Sequence, residues 1–356
     1  MKLVRIRLIP KRLRLKRPFV SSHETLTERE ITIVEVKDQS GLVGYGELDA
    51  FSQPFYTSET QATARWVIEH TLVNLVKNIE FATPIELFDQ MVAVKGNQLA
   101  KAAIDMAVWD LFAKIQRLSL ADVLAKNVEL ERAKNVRVGI SIGIQNEDRT
   151  MDQVERAIKK GYGRIKLKVR GNTDLTRIAH VAAHFPTAPL CVDANGSLTY
   201  ESDLASKIDR LRLIMIEDPF KVDQSQLSAR LQEEMTTALC YDEAITSVHE
   251  AVRAINAGEC RIVSIKAGIL GGLTPALAMI RAHQKFHFPI WCGGLLEGGV
   301  GRAANLALAS LNTFAYPGDI SETSRYYEHD IAKPNFQLEN GCLVVPSKPG
   351  IGVDLV

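Results

Sequence analysis

Short apolar runs recur through the second two-thirds of the chain, each ending in a charged residue. They read Arg-Ile-Lys166-Leu-Lys168-Val, Leu-Cys-Val-Asp193, Ile-Met-Ile-Glu217, Cys-Tyr-Asp242 and Val-Ser-Ile-Lys266. Their spacing of about 25 residues is what one strand, one helix and two loops require, so the pattern predicts a (β/α)8-type barrel. Val138–Ile142 reads as its first strand, Phe288–Cys292 as the seventh and Asn312–Tyr316 as the eighth, with a small-residue helix over Arg302–Leu311. Ahead of the barrel the period differs. Residues 1–50 alternate as antiparallel strands, with Ile31–Val36 and Leu42–Gly46 forming a hairpin across Asp38–Gly41. From Ser58 to Lys126 the pattern is helical, with segments at Thr63–Ile68 and Gln98–Lys114. Strands followed by helices predict an α+β capping domain over 1–128. The barrel takes 129–325, and a tail over 326–356 packs back on the cap. The fold class is α/β.

Composition narrows the partners. The formal net charge of +1 argues against a nucleic-acid-binding surface. No apolar run reaches the ~18 residues of a membrane span. Five scattered cysteines, three of them in or beside predicted strands, fit reduced thiols and a cytoplasmic location. The first 17 residues carry eight Lys or Arg and no acid. A transit peptide is one reading. Alternation of Val4, Ile6 and Leu8 with Arg5 and Arg7 favours an edge strand instead.

The barrel numbering gives the charges a geometry. Lys166 and Lys168 lie two apart on the second strand and share the face turned into the barrel. Lys266 ends the sixth strand, opposite the second in a ring of eight. Asp193, Glu217 and Asp242 end the three strands between. Three carboxylates in register suit a hard divalent cation, Mg²⁺ above all, and the scarcity of histidine speaks against Zn²⁺. The alternative, acids that merely cap helices, is weak for three in register with flanking lysines. A cation on a substrate carboxylate stabilises the charge left when the neighbouring proton is removed. The base must be unprotonated near neutral pH. Two adjacent, partly desolvated lysines are expected to repel and lower their pKa, against the pull of the carboxylates.

These motifs resemble the enolase superfamily in its muconate-lactonising subgroup, whose sites pair a Lys or His base with Mg²⁺. Trp291–Asn305, Tyr316–Ser321, Pro18–His23 and Val138–Ser141 resemble the branch shared by o-succinylbenzoate synthases and N-succinylamino acid racemases. The resemblance runs over nearly the whole chain. It implies an enolase-like modified barrel, with Asp193, Glu217 and Asp242 binding Mg²⁺ and Mn²⁺ as a substitute. It makes Lys168 the base, Lys266 the stabiliser of the enediolate from the other face, and Lys166 a neighbour that tunes Lys168. The implied reaction is Mg²⁺-dependent dehydration of a small-molecule cyclohexadiene carboxylate in menaquinone biosynthesis. A homo-oligomer is in keeping with the branch.

Expected substrate contacts are Ser141, Asn195, the segment Gly293, Gly294 and Leu295, and the cap-loop residues Phe19 and Ser21. The glycine-rich stretch after strand seven reads first as a backbone approach to the substrate's succinyl tail and next as plain turn geometry, with a phosphate cradle only weakly signalled by a lone Gly-rich loop. Phe51–Tyr56 is a second aromatic loop of the cap, and His23 is the one histidine placed near the site. Racemisation by the same two lysines is the main alternative. Racemising members of the branch often carry arginine three positions after the sixth-strand lysine, where this chain has Ile269. Muconate lactonisation and a non-catalytic barrel are less favoured, since no lysine or acid of the set is missing.

Overall fold

The computed structural model describes residues 1–20 and 25–356. β1 (Leu3–Val20) pairs antiparallel with β2 (Thr25–Asp38), which pairs on its other edge with β3 (Val43–Leu48). The central strand β2 buries Ile31, Ile33, Val34 and Val36. The edge strand β1 keeps arginines outward, and Arg5 and Arg7 reach back to Glu35 at 3.1 and 2.9 Å, a charged edge that resists further pairing. Asp38 Oδ1 accepts the N–H groups of Ser40 and Leu42 and closes the turn.

Helices α1 (Gln61–Val67) and α2 (Val73–Val76) flank a π-helical turn over Ile68–Leu72, followed by α3 (Pro84–Met91), α4 (Gln98–Ile115) and α5 (Leu120–Asn127). Hydroxyls of Thr60, Thr83 and Ser119 cap α1, α3 and α5. α4 is buried on almost every side, so its small apolar residues face the sheet of the cap and the barrel alike.

After β4 (Asn135–Arg137) the strand–helix alternation runs β5 (Gly139–Ile142), α6 (Glu147–Lys159), β6 (Arg164–Lys168), α7 (Asp174–His184), β7 (Leu190–Asp193), α8 (Leu204–Arg210), β8 (Ile216–Glu217), α9 (Ser225–Glu234), β9 (Leu239–Tyr241), α10 (Val248–Asn256), β10 (Ile262–Ile265), α11 (Ala267–Leu270), α12 (Leu273–Phe286), β11 (Ile290–Cys292) and α13 (Gly299–Ala309). β5 to β11 form one parallel sheet in chain order. Ile165 and Leu167 pack outward against helices, while Cys191, Met215, Cys240, Ile262 and Trp291 fill the interior below the mouth.

The eighth strand expected at Asn312–Tyr316 is not formed. The ring closes there through single hydrogen bonds, Ala315 N–H to Ile290 O (2.9 Å), Asp319 N–H to Cys292 O (2.9 Å) and Gly139 N–H to Gly318 O (2.7 Å). Pro317 has no N–H to give a ladder, and a side chain at Gly318 would meet Cys292 O at 2.6 Å. The tail forms β12 (Ala332–Lys333), β13 (Cys342–Val344) and β14 (Asp354–Leu355). β12 pairs with β14, and β13 with β4 at the base of the barrel. Ile351 N–H meets Asp110 of α4 at 2.7 Å. Among the described residues no helix is long and apolar enough to cross a membrane, and all five cysteines are free.

Candidate active site

The strand period delivers the site. On β6 the inward positions are Arg164, Lys166 and Lys168, rising from floor to mouth. β7, β8 and β9 present Asp193, Glu217 and, one residue past its end, Asp242. Lys266 follows β10. Lys168 Nζ donates to Asp193 Oδ2 at 2.9 Å and to Asn195 Oδ1 at 2.7 Å. Lys166 Nζ lies 2.9 Å from Glu217 Oε2, 3.4 Å from Asp193 Oδ2 and 2.6 Å from Asp319 Oδ2. Lys266 Nζ donates to Asp242 Oδ2 at 2.5 Å. Four of the six expected groups, Lys166, Lys168, Asp193 and Glu217, are joined by direct ion pairs, and Lys266 pairs separately with Asp242.

Burial governs its charges. Burial pushes the Glu217 carboxyl up to about 8, although Lys166 and Arg164 pull it down. Asp242 is also raised, by burial first, against Lys266. Lys166 departs from the expectation of lowered lysines: burial lowers it, but Asp319, Glu217 and Asp193 together outweigh burial and hold it above its ordinary value. Lys266 is likewise raised, as Asp242 and Glu243 overcome burial. At Lys166 the carboxylates win because its ammonium touches Asp319, Glu217 and Asp193.

Asp193, Glu217 and Asp242 offer oxygen ligands only, and Asp242 Oδ1 is buried with no hydrogen-bond partner among the described residues. A buried, unpaired carboxylate oxygen suits a hard cation. A different trio, Asp218, Asp242 and Glu243, has oxygens within 4.8 Å of one another among the described residues. Asp218, however, accepts the backbone N–H groups of Asp242 and Glu243 at 3.0–3.3 Å, and so shapes the turn after β9. The strand-end carboxylates are instead each held by a lysine ammonium: Asp193 by Lys168 and Lys166, Glu217 by Lys166, and Asp242 by Lys266.

A cavity of about 90 Å³ between cap and barrel holds these groups. Lys166, Lys168, Asp193, Lys266 and Asp319 line its floor. Phe19, Leu26, Phe51 and Tyr56 reach it from the cap, with Phe19 edge-on to Tyr326. Glu217 and Asp242 lie beneath the ammonium groups. Ser141 lines the cavity with a buried Oγ that has no partner among the described residues. Gly294 and Leu295 line it too. A groove of about 730 Å³ beside α7 and α8 is larger, but its lining, apolar residues together with Lys207, Arg210 and Arg212, includes none of the site's lysines or carboxylates.

Other expected contacts fall differently. Asn195 turns to Lys168 and donates to Glu243 at 2.7 Å, so it holds the Lys168 ammonium in place. Gly293 lies under Lys266, where a Cβ would meet Lys266 Cγ at 2.7 Å; its value is close approach to that lysine. Ser21 and His23 lie outside the described residues. Three donors that a phosphate cradle would use are already taken: Glu47 accepts from Gly298 and Gly301, and Asp330 from Gly299.

Four residues had no individual role in the sequence reading. Arg164 is fully buried, donates to Glu217 and Asp319, and stacks 3.9 Å from the Trp291 ring. The period of two through Lys166 pointed to it. Asp319 is held well below the carboxylate range by Arg164 and Lys166, although burial opposes them. Its place depends on the irregular eighth position. Glu243 follows Asp242 with no periodic signal. Tyr56 accepts a hydrogen bond from Lys266, and burial, then Glu243 and Asp242, raise its phenol well above its usual value.

A parallel barrel with carboxylates on consecutive strand ends and lysines on opposite strands defines an enolase-type protein. The Enolase C-terminal domain-like family matches residues 149–356, and the mandelate racemase/muconate lactonizing enzyme N-terminal domain family matches residues 4–125. The chain belongs to the enolase superfamily. It is 41% identical to the o-succinylbenzoate synthase of Bacillus subtilis (strain 168) over 346 residues, 96% of this chain and 91% of that protein. It is 38% identical to the N-succinylamino acid racemase of Thermus thermophilus, over 96% and 92% of the two chains. An enolase-superfamily crystal structure from Listeria innocua superposes with a TM-score of 0.93 at 38% identity, covering 100% of this chain and 95% of that one.

Proposed function

We propose that this chain is an o-succinylbenzoate synthase. It removes the α-proton of 2-succinyl-6-hydroxy-2,4-cyclohexadiene-1-carboxylate and eliminates the 6-hydroxyl as water, giving the aromatic o-succinylbenzoate, a menaquinone precursor. The observation that carries this reading is the set of ammonium groups from opposite barrel strands flanking the strand-end carboxylates. Five relatives named o-succinylbenzoate synthase, at 39–41% identity over nearly the full length, support the choice of reaction.

Asp193, Glu217 and Asp242 would hold a divalent cation, which we take to be Mg²⁺ with Mn²⁺ as a substitute. Bound there, it supplies positive charge against the substrate carboxylate as charge builds on its oxygens. Lys168, placed by Asp193 and Asn195, takes the α-proton, and the same Nζ returns a proton to the departing hydroxyl. Lys266 faces the substrate from the other side and donates to the carboxylate oxygens. Lys166, bound to Asp319 and Glu217, keeps a fixed positive charge beside the base. Phe19, Phe51 and Leu295 exclude water from the organic part of the substrate, and Ser141 Oγ is free to receive one of its oxygens. Ring aromatisation provides the driving force.

Racemisation of N-succinyl amino acids is the second reading, favoured by the same pair of lysines and by the Thermus thermophilus relative. Ile269 weighs against it. It is packed among apolar cap residues at 7% exposure, so this position sends no charge toward the site. The deciding experiment compares purified protein, with and without Mg²⁺, on the cyclohexadiene carboxylate and on N-succinyl amino acids. Mg²⁺-dependent aromatisation faster than racemisation is expected. Efficient racemisation with little aromatisation would replace the proposal by the second reading.

A further inference from the structure

Arg29, near the start of β2, is 1% exposed, and its guanidinium donates to four backbone carbonyls. They are Ala50 O (2.7 Å), Glu30 O (3.2 Å), Asp49 O, and Leu295 O across the domain boundary (3.4 Å). A buried cation is expensive, and one directed at main-chain oxygens fixes backbone segments relative to one another. Here it ties the cap strand to segment 49–51 and to the loop after β11.

A chain of contacts leads from this clasp to the chemistry. The guanidinium lies 3.9 Å from the centre of the Phe51 ring. Phe51 meets the Tyr56 ring edge-on, with centres 5.6 Å apart. The Tyr56 hydroxyl accepts from Lys266 Nζ, and that ammonium sits 5.0 Å over the Tyr56 ring. Phe51, Tyr56 and Leu295 all line the cavity.

We propose that Arg29 is a positioning residue for the reaction: by clasping the cap segment against the barrel loop, it sets Phe51 and Tyr56 and thereby the orientation of Lys266. Docking of the cap and alignment of Lys266 are then one event. Lysine in place of Arg29 keeps the charge but loses the planar fork that reaches several carbonyls at once.

The inference rests on the proposed role of Lys266, and the test separates the two. kcat and KM for the cyclohexadiene carboxylate are measured for wild type, Arg29→Lys, Tyr56→Phe and the double variant, alongside melting temperature. Misplacement of a reacting group lowers rate steeply, so each single variant is expected to lose about 10- to 100-fold in kcat, with KM changed less than about threefold. Because Arg29 acts through Tyr56, the double variant should be no slower than the worse single variant. Multiplicative losses would overturn the inference, as would an unchanged kcat for Arg29→Lys. Should Arg29→Lys fail to fold, Phe51→Leu takes its place in the cycle with the same expectations. Absence of turnover by wild type would overturn the reading of Lys266 and this inference together. Turnover by wild type with independent variants would overturn the inference alone.

Discussion

Replacing Asp105 by asparagine should change how stability depends on pH. Asp105 lies on α4 of the cap, 1% exposed. It accepts the Thr274 N–H at 2.9 Å and the Thr274 hydroxyl at 2.6 Å, at the first turn of barrel helix α12. Burial raises its carboxyl to about 7, against the hydrogen bonds from Thr274. The folded protein therefore binds this proton more tightly than the unfolded chain, whose value is near ~3.9. Stability from this group is complete below pH ~4, falls as pH rises to about 7, and is level above that. Three units at about 1.4 kcal/mol each give about 4 kcal/mol, of which about 3 kcal/mol falls between pH 5 and pH 8. The amide of the Asp105→Asn variant keeps an oxygen for the Thr274 N–H and has no proton to lose. The variant's stability relative to wild type should therefore improve by about 3 kcal/mol from pH 5 to pH 8. Urea unfolding at both pH values reads this directly, with the neighbouring buried Trp109 as a fluorescent reporter. A difference that stays within about 1 kcal/mol at the two pH values would refute the assignment of a buried, high-pKa carboxyl here.

Three further outcomes are expected. Lys168→Ala should lower kcat by about 10²- to 10⁴-fold while Mg²⁺ still binds by calorimetry; wild-type rates would remove Lys168 as the base. Asp242→Asn should raise the Mg²⁺ concentration for half-maximal activity about tenfold or more, because one anionic ligand is lost; an unchanged requirement would take Asp242 out of the metal site. Gly272→Ala should lower stability by about 1–3 kcal/mol or more from backbone strain alone, since Gly272 has φ +133° and its Cβ would meet Asp105 at 2.3 Å. An unchanged urea midpoint would contradict that packing.

The barrel and its charged rim were legible because strand positions repeat at two and strand–helix units at about 25. Lys166, Lys168, Asp193, Glu217, Asp242 and Lys266 stand where the spacing places them. Arg164 was equally legible in principle, since it precedes Lys166 by two. The eighth strand was not: Asn312–Tyr316 has apolar content, but Pro317 and Gly318 replace a ladder with isolated bonds, and Asp319 enters the site from that irregular stretch. Nor does local pattern reveal residues that meet across domains. Tyr56 and Lys266 are 210 positions apart, and their contact follows from how the cap docks. For Lys166 the expected fall in pKa failed for the same reason, because Asp319 contributes to the pull on it.

Two barrel helices begin on acids that belong to the cap. Glu47 takes N–H groups at the start of α13, including that of Gly301 at 2.8 Å, and Asp105 does the same for α12. These helices follow the loops that carry Lys266 and Gly294. A barrel expressed from residue 129 onward would keep Asp193, Glu217, Asp242 and the three site lysines, yet leave both helix starts without their cap acceptors. For anyone seeking a minimal scaffold, the smallest portable unit is therefore cap and barrel together, since each of these two helices takes its N-terminal acceptor from the other domain.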